Sequence, residues 1–281
     1  MGILLGLIAA IGLLPLAIAV LRLPAGAGAK SADRRGLAAS TLLCALAFSL
    51  TFFVQEVGLV VPKALVPGLD PILYHNDHDW RGDAPVAELL QGGGAIATLL
   101  SGLAFLWLAG RIGTDRPAWR LFAFWMAFQG LFQALSQAAV GSLIAGNDVG
   151  RALTYIGIGP LVRLALLPLA VIGLFAAGRA LARRYPLATG RPDRATALAL
   201  LATLALATLL TIPFRIPREP VEVVLIPLVV HIFGLGWLTL GLATTTAAQP
   251  PPGTAGLAIP AAALAAMLAF FQLVLRPGVA F

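Results

Sequence analysis

Ionisable side chains are scarce in this sequence: Asp, Glu, Lys and Arg make up 11% of 281 residues, histidine occurs three times and cysteine once. Soluble globular domains carry roughly a quarter of their residues as charged side chains, so this content excludes an ordinary soluble fold. The single thiol, Cys44, lies in an apolar run. It excludes an intramolecular disulfide and any cysteine-rich metal site, and it is expected to pack as a small hydrophobe. The chain also lacks an HExxH helix, a GxSxG elbow and a glycine-rich phosphate loop, so the common metalloprotease, serine-hydrolase and P-loop signatures are missing. No basic tail or arginine-rich face accompanies the formal charge of +7, so nucleic acid is not an expected partner. Only His231 sits well inside an apolar run, which argues against a bis-histidine haem.

What the chain does have is apolar length, with 59% hydrophobic residues and a mean hydropathy of +0.93. A helix crossing a bilayer needs about 20 predominantly apolar residues. Eight stretches meet that need, at 3–22, 38–61, 93–110, 119–144, 152–178, 195–213, 222–245 and 257–275. The expected fold is an all-α integral membrane protein, a bundle of about eight transmembrane helices forming one domain over 1–281.

Assigning loops alternately to two sides separates the charges. One side collects Arg22, Lys30, Arg34, Arg35, Arg111, Arg116, Arg120, Arg179, Arg183, Arg184, Arg191 and Arg194; the other holds Lys63, Arg81, Arg151, Arg215, Arg218 and Arg276 with most of the acids. The positive-inside rule makes the first side cytoplasmic and puts both termini outside, in what is expected to be a bacterial inner membrane. The first apolar run has no positive flank before it, which reads as a retained helix and not a cleaved signal peptide. A cytoplasmic proline-rich linker is expected at 245–256. Val61-Pro62-Lys63 and Ile216-Pro217-Arg218 are a faint echo of a parallel duplication.

The outer loop at 62–83 differs from the other connections. It is too apolar to float in water and too rich in proline to span, so it is expected to fold back as a lid with Tyr74 and Trp80 at the membrane interface. Asp83-Ala84-Pro85 followed by Glu88 reads as the N-cap and first turn of a helix, and Gly92-Gly93-Gly94 as a kink or a close backbone approach. Within the loop, Tyr74 to Asp83 packs two histidines, three aspartates and an arginine into ten residues. His75 and His78, three apart, share a face if the segment takes a helical turn. With Asp77, Asp79 or Glu56 as a further ligand they form a metal site, zinc being the expected ion.

Polar groups inside the apolar runs point the same way, because an ionisable side chain in the bilayer is costly and faces an interior or a wet cavity. At a rise of about 1.5 Å per residue, Glu56 lies roughly 7 Å below the outer end of its helix and His231 roughly 14 Å below its own, with Arg163 at a similar depth. Gln129, Gln133 and Gln137 form one stripe at four-residue spacing, a pattern that more often joins helices than binds a ligand. The leading functional expectation is a metal-dependent membrane hydrolase or transferase acting on a lipid or lipid-linked small molecule from the outer leaflet. Glu56 or Asp79 would then be general base, with Arg163 or His231 steadying an anionic substrate. The alternatives are a transporter or proton-coupled carrier using Glu56, Arg163 and His231, and an accessory subunit without catalysis of its own.

Overall fold

A computed structural model describes residues 2–25, 34–185, 192–215, 221–245 and 256–281. The expected linker at 245–256, apart from its two end residues, and the Ile216-Pro217-Arg218 echo lie outside these described residues. The helices are α1 (Gly2–Arg22), α2 (Arg34–Ala64), α3 (Val86–Leu90), α4 (Gly93–Ala109), α5 (Pro117–Leu143), α6 (Asp148–Tyr155), α7 (Pro160–Ala165), α8 (Leu167–Ala182), α9 (Arg194–Arg215), α10 (Ile226–Thr244) and α11 (Ala258–Phe270). Single π-helical segments precede α10 and follow α11, at Val221–Leu225 and Phe271–Leu275.

Among the described residues, six helical stretches are long and apolar enough to cross a membrane: Arg34–Ala64, Val86–Ala109, Pro160–Ala182, Arg194–Ile212, Val223–Thr244 and Ala258–Leu275. The two other expected runs form α1, whose apolar part Gly6–Arg22 is shorter, and α5. α5 has 27 residues, but glutamines interrupt its apolar run. It is nevertheless deeply enclosed, with Phe124, Trp125, Phe128 and Phe132 wholly buried and α2, α4, α8 and α10 packed around it. Without a hydrophobic driving force between helices in lipid, small residues permit the approach. A Cβ on Gly130 would stand 2.7 Å from the Gly102 backbone, so α4 and α5 meet backbone to backbone.

The expected single helix over 152–178 is three pieces. Gly157 adopts φ +79°, a left-handed conformation open to glycine, and the following Gly159-Pro160 restarts the chain as α7 with proline in the first turn. The helix start after the polar loop is also modified: α3 begins at Val86 behind Pro85, and no side chain caps it.

The polar loop itself is a β-hairpin. β1 (Asp70–Leu73) pairs antiparallel with β2 (His78–Arg81), with Leu73 opposite His78. The four-residue connection is closed by the Tyr74 N–H donating to the Asp77 carbonyl at 2.9 Å. The C-terminal β3 (Val279–Ala280) adds to the free edge of β1, and Phe281 N–H donates to Pro71 O at 3.0 Å. β1 packs against α2, and Leu73 joins Val60, Phe271 and Leu275 in a small apolar cluster.

Candidate metal centre

Strand alternation decides which side chains of the hairpin turn inward. Successive residues of a strand point to opposite faces, and in β2 His78 and Trp80 are half-buried while Asp79 and Arg81 are exposed. His78 therefore faces the end of α2, where Glu56 is buried. Its Nδ1 lies 2.9 Å from Glu56 Oε2, and its Nε2 lies 3.2 Å from Gln91 Oε1. Gln91 stands at the break between α3 and α4 and is itself buried.

An amide oxygen only accepts, so Nε2 donates to Gln91, and Nδ1 meets the Glu56 oxygen either as an N–H donor or as a lone pair that needs a cation between the two. Asp77, in the hairpin connection, completes the group: one ligand atom each from Glu56, Asp77 and His78 lies within 4.8 Å of the other two. In a tetrahedral zinc site with bonds of about 2.0–2.2 Å, ligand atoms stand roughly 3.3 Å apart, so small side-chain adjustments bring three donors around one ion. The Nε2–H···O=C bond to Gln91 is the kind of outer contact that orients a ligating histidine.

A ring of charge surrounds the group. Trp80 stacks beside the His78 ring with centroids 5.9 Å apart. The Lys63 ammonium lies 4.7 Å and the Arg151 guanidinium 5.3 Å from the Trp80 ring. Arg151 is held by two 2.7 Å bonds to Glu88, which raise its already high pKa. Asp148, at the start of α6 behind the Asn147 cap, is pushed up to about 6 by burial and then by the negative charge of Glu56, against the opposing influence of His78, Lys63 and Arg151.

The remaining sequence-selected residues divide between this centre and other places. His75 is buried in the hairpin connection and is not among the three clustered ligands; the expected helical turn linking it to His78 is replaced by a strand and its loop. Neighbouring Asn76 donates to Arg215 O at 3.3 Å and ties the loop to the end of α9. Asp79 points outward, and its Oδ1 accepts from the Trp80 N–H at 2.8 Å. Arg163, in α7, donates to Thr154 Oγ1 at 3.0 Å. His231 lies in the bundle between Gln129 and Thr208.

The glutamine stripe does join helices, and it does so beside Glu56. Gln133 and Gln137 both donate to Gln55 Oε1, and Gln55 Nε2 donates to Glu56 Oε1 at 3.3 Å. Gln91, Asp148 and Arg151 were not singled out by sequence; nothing in their spacing marks them, since each meets the centre only through the tertiary fold. On the face of α2 turned away from Glu56, an apolar groove of about 350 Å³ is lined by Phe53, Val54, Val57, Gly58, Val61 and Pro62 with Ala97 of α4. In comparisons with known proteins, no family model matches the chain, and no curated protein or solved structure is significantly similar to it.

Proposed function

We propose that this chain is an integral membrane metalloprotein, with about eight helices crossing a bacterial inner membrane and both termini outside. Its outward-facing Glu56–Asp77–His78 group binds a divalent transition metal, zinc first. The observation that carries the reading is the grouping itself: one ligand atom each of Glu56, Asp77 and His78 lies within 4.8 Å of the other two, with His78 Nδ1 2.9 Å from Glu56 Oε2. A buried carboxylate and imidazole so arranged need a cation or a proton.

A metal held there supplies Lewis acidity toward a carbonyl or phosphoryl group. Hydrolysis or group transfer on a lipid or lipid-linked substrate is the reaction proposed, because the hairpin that carries Asp77 and His78 packs on the outer end of an apolar, membrane-length helix. Asp148 and Lys63 are the nearby groups available to move a proton, in place of Asp79, which faces out, and of Arg163 and His231, whose contacts lie elsewhere. A second reading, a metal carrier, shares the same centre. It is favoured by the hydrogen-bonded continuation from Glu56 through Gln55 into the α5 stripe.

Metal content measured by elemental mass spectrometry on the detergent-purified protein tests the centre. Near-stoichiometric zinc in the wild type, lost in Glu56→Gln and His78→Ala, is the expected result; no metal in either removes the proposal. Zinc-dependent turnover of lipid-linked substrates in mixed micelles, set against zinc flux in proteoliposomes, separates enzyme from carrier.

A further inference from the structure

α4 starts beside Gln91, which touches His78, and runs for 17 residues away from the hairpin, so its far end closes the opposite end of the bundle. Along it Ile96, Leu100, Leu103 and Trp107 recur at spacings of four, three and four, the period of one helical face. All four are exposed although large and apolar, and they lie in a stretch long and apolar enough to cross a membrane. This stripe therefore meets lipid chains. Trp107, its last member, is placed where indole rings anchor a span at the interface, and Trp119 at the start of α5 is exposed likewise.

Two guanidinium groups stand at the foot of the stripe. Arg111, four residues past Trp107, holds its guanidinium carbon 4.6 Å from the centroid of the Trp107 ring, a cation–π contact. Arg184 comes from the end of α8. Its guanidinium crosses Gly110, where a Cβ would overlap it, and Gly110 lies three residues past Trp107 on the same side of the helix. Only the missing side chain at 110 admits Arg184 there. Among the described residues, neither Arg111 nor Arg184 has a carboxylate partner. In the two connections Arg111, Arg116, Arg120, Arg183 and Arg184 stand against a single acid, Asp115, which faces Arg116 at 3.7 Å. Orienting a span needs only the number of arginines in a loop. It does not need two of them, from different connections, to meet beside a lipid-facing tryptophan.

We infer that Trp107, Arg111 and Arg184 form a binding site for the headgroup of an anionic phospholipid whose chains lie along the α4 stripe. A guanidinium offers a planar pair of donors that matches two phosphate oxygens, and basic groups gathered between helix ends on the cytoplasmic side recognise anionic headgroups. The stripe above supplies the apolar surface that the acyl chains cover. A zwitterionic lipid presents the same phosphate but carries an ammonium that the two arginines repel, so the site selects by net charge. Neither the metal centre nor its chemistry enters, and the proposed orientation enters only in drawing the lipid from the inner leaflet.

Native mass spectrometry of the detergent-purified full chain, titrated with phosphatidylglycerol and separately with phosphatidylcholine of the same acyl chains, reads the affinity of the first lipid bound. One arginine near an anionic headgroup changes binding about fivefold. Wild type is expected to prefer phosphatidylglycerol by about that factor or more, and Arg111→Gln and Arg184→Gln are each expected to weaken phosphatidylglycerol about fivefold while leaving phosphatidylcholine unchanged. Gly110→Ala displaces the flexible end of Arg184 and keeps every charge, so its expected loss is of the same order as that of Arg184→Gln. Arg22→Gln removes an exposed charge at the end of α1, which packs on α10, and is expected to leave both lipids within about twofold of wild type. No preference for phosphatidylglycerol in wild type overturns the inference. So does an equal loss in Arg22→Gln and the other two arginine variants, or wild-type binding in Gly110→Ala, since either outcome describes attraction to total charge without a built site. Glycerophosphoglycerol, the same headgroup without chains, is expected not to displace the lipid at equal concentration; displacement would assign the site to a soluble phosphodiester and sink the lipid. The wild-type comparison of the two lipids and the chainless headgroup decides the matter even if a variant fails to fold.

Discussion

At the scale of single residues, the centre depends on groups that hold ligands as much as on the ligands themselves. Gln91 contributes no ligand atom, yet its oxygen fixes which nitrogen of His78 faces Glu56. Loss of such an outer contact typically lowers metal affinity by about 10–100-fold. Gln91→Leu is therefore expected to weaken zinc binding by that order in a competition titration with a chromogenic chelator, whereas Asp79→Asn, which alters an exposed side chain, is expected to leave it within about twofold of wild type. Equal effects of the two substitutions would rule out this orienting role for Gln91. Asp148 gives a separate prediction. Its pKa is raised from an ordinary 3.8 to about 6 in the fold, so between those values the folded protein keeps a proton that the unfolded chain has released. Stability from this group is full at low pH and falls as pH rises through roughly 4–6. The groups facing Asp148 are Glu56, His78, Lys63 and Arg151. Thermal unfolding of Asp148→Asn across that interval should show a flatter pH dependence than wild type, with both proteins stripped of metal by a chelator.

At the scale of elements, much was legible and the exceptions have physical causes. Apolar length alone located the helices, because a bilayer demands continuous helix wherever the chain crosses it. It could not see the break in 152–178, since Gly157, Gly159 and Pro160 interrupt the helix without bringing a charge into the apolar run. Glu56 and His78 were both read as functional, but their contact spans 22 positions and depends on the hairpin. Reading that loop as a helical turn favoured His75 with His78; as a strand, alternation turns His78 inward and Asp79 outward, and Asp77 takes the third place. The hairpin is thus the element that builds the centre, and its base is tightly specified. Gly82 has φ +102°, and a Cβ there would collide with the Gly68 carbonyl. Gly82→Val is expected to destabilise the hairpin by about 1–3 kcal/mol. Zinc affinity should fall along with the melting temperature, although residue 82 touches no ligand. A variant that melts lower while binding zinc normally would show that the hairpin does not shape the centre.

For the whole molecule, the charge distribution and the contacts between helix ends make one statement about orientation. The start of α9 meets the end of α1, where Arg194 N–H donates to Pro24 O at 3.1 Å and Arg194 Nε donates to Val20 O at 3.2 Å. The end of α9 meets the hairpin after α2 through Asn76 and Arg215 O, and the C-terminal strand lies on that same hairpin. The Glu56–Asp77–His78 group and the C-terminal strand therefore share one end of the bundle. Arg22, Arg34 and Arg35, Arg111 to Arg120, and Arg179 to Arg194 belong to connections assigned to the opposite end, and the proposed orientation, by the positive-inside rule, puts that arginine-rich end in the cytoplasm. A reporter that is active only outside the cytoplasm, fused after Phe281, is expected to be active, and the same reporter inserted at Gly113, between α4 and α5, is expected to be silent. The reverse pattern would put the Glu56–Asp77–His78 group on the cytoplasmic face, so that its metal would come from the cell interior and any lipid-linked substrate from the inner leaflet.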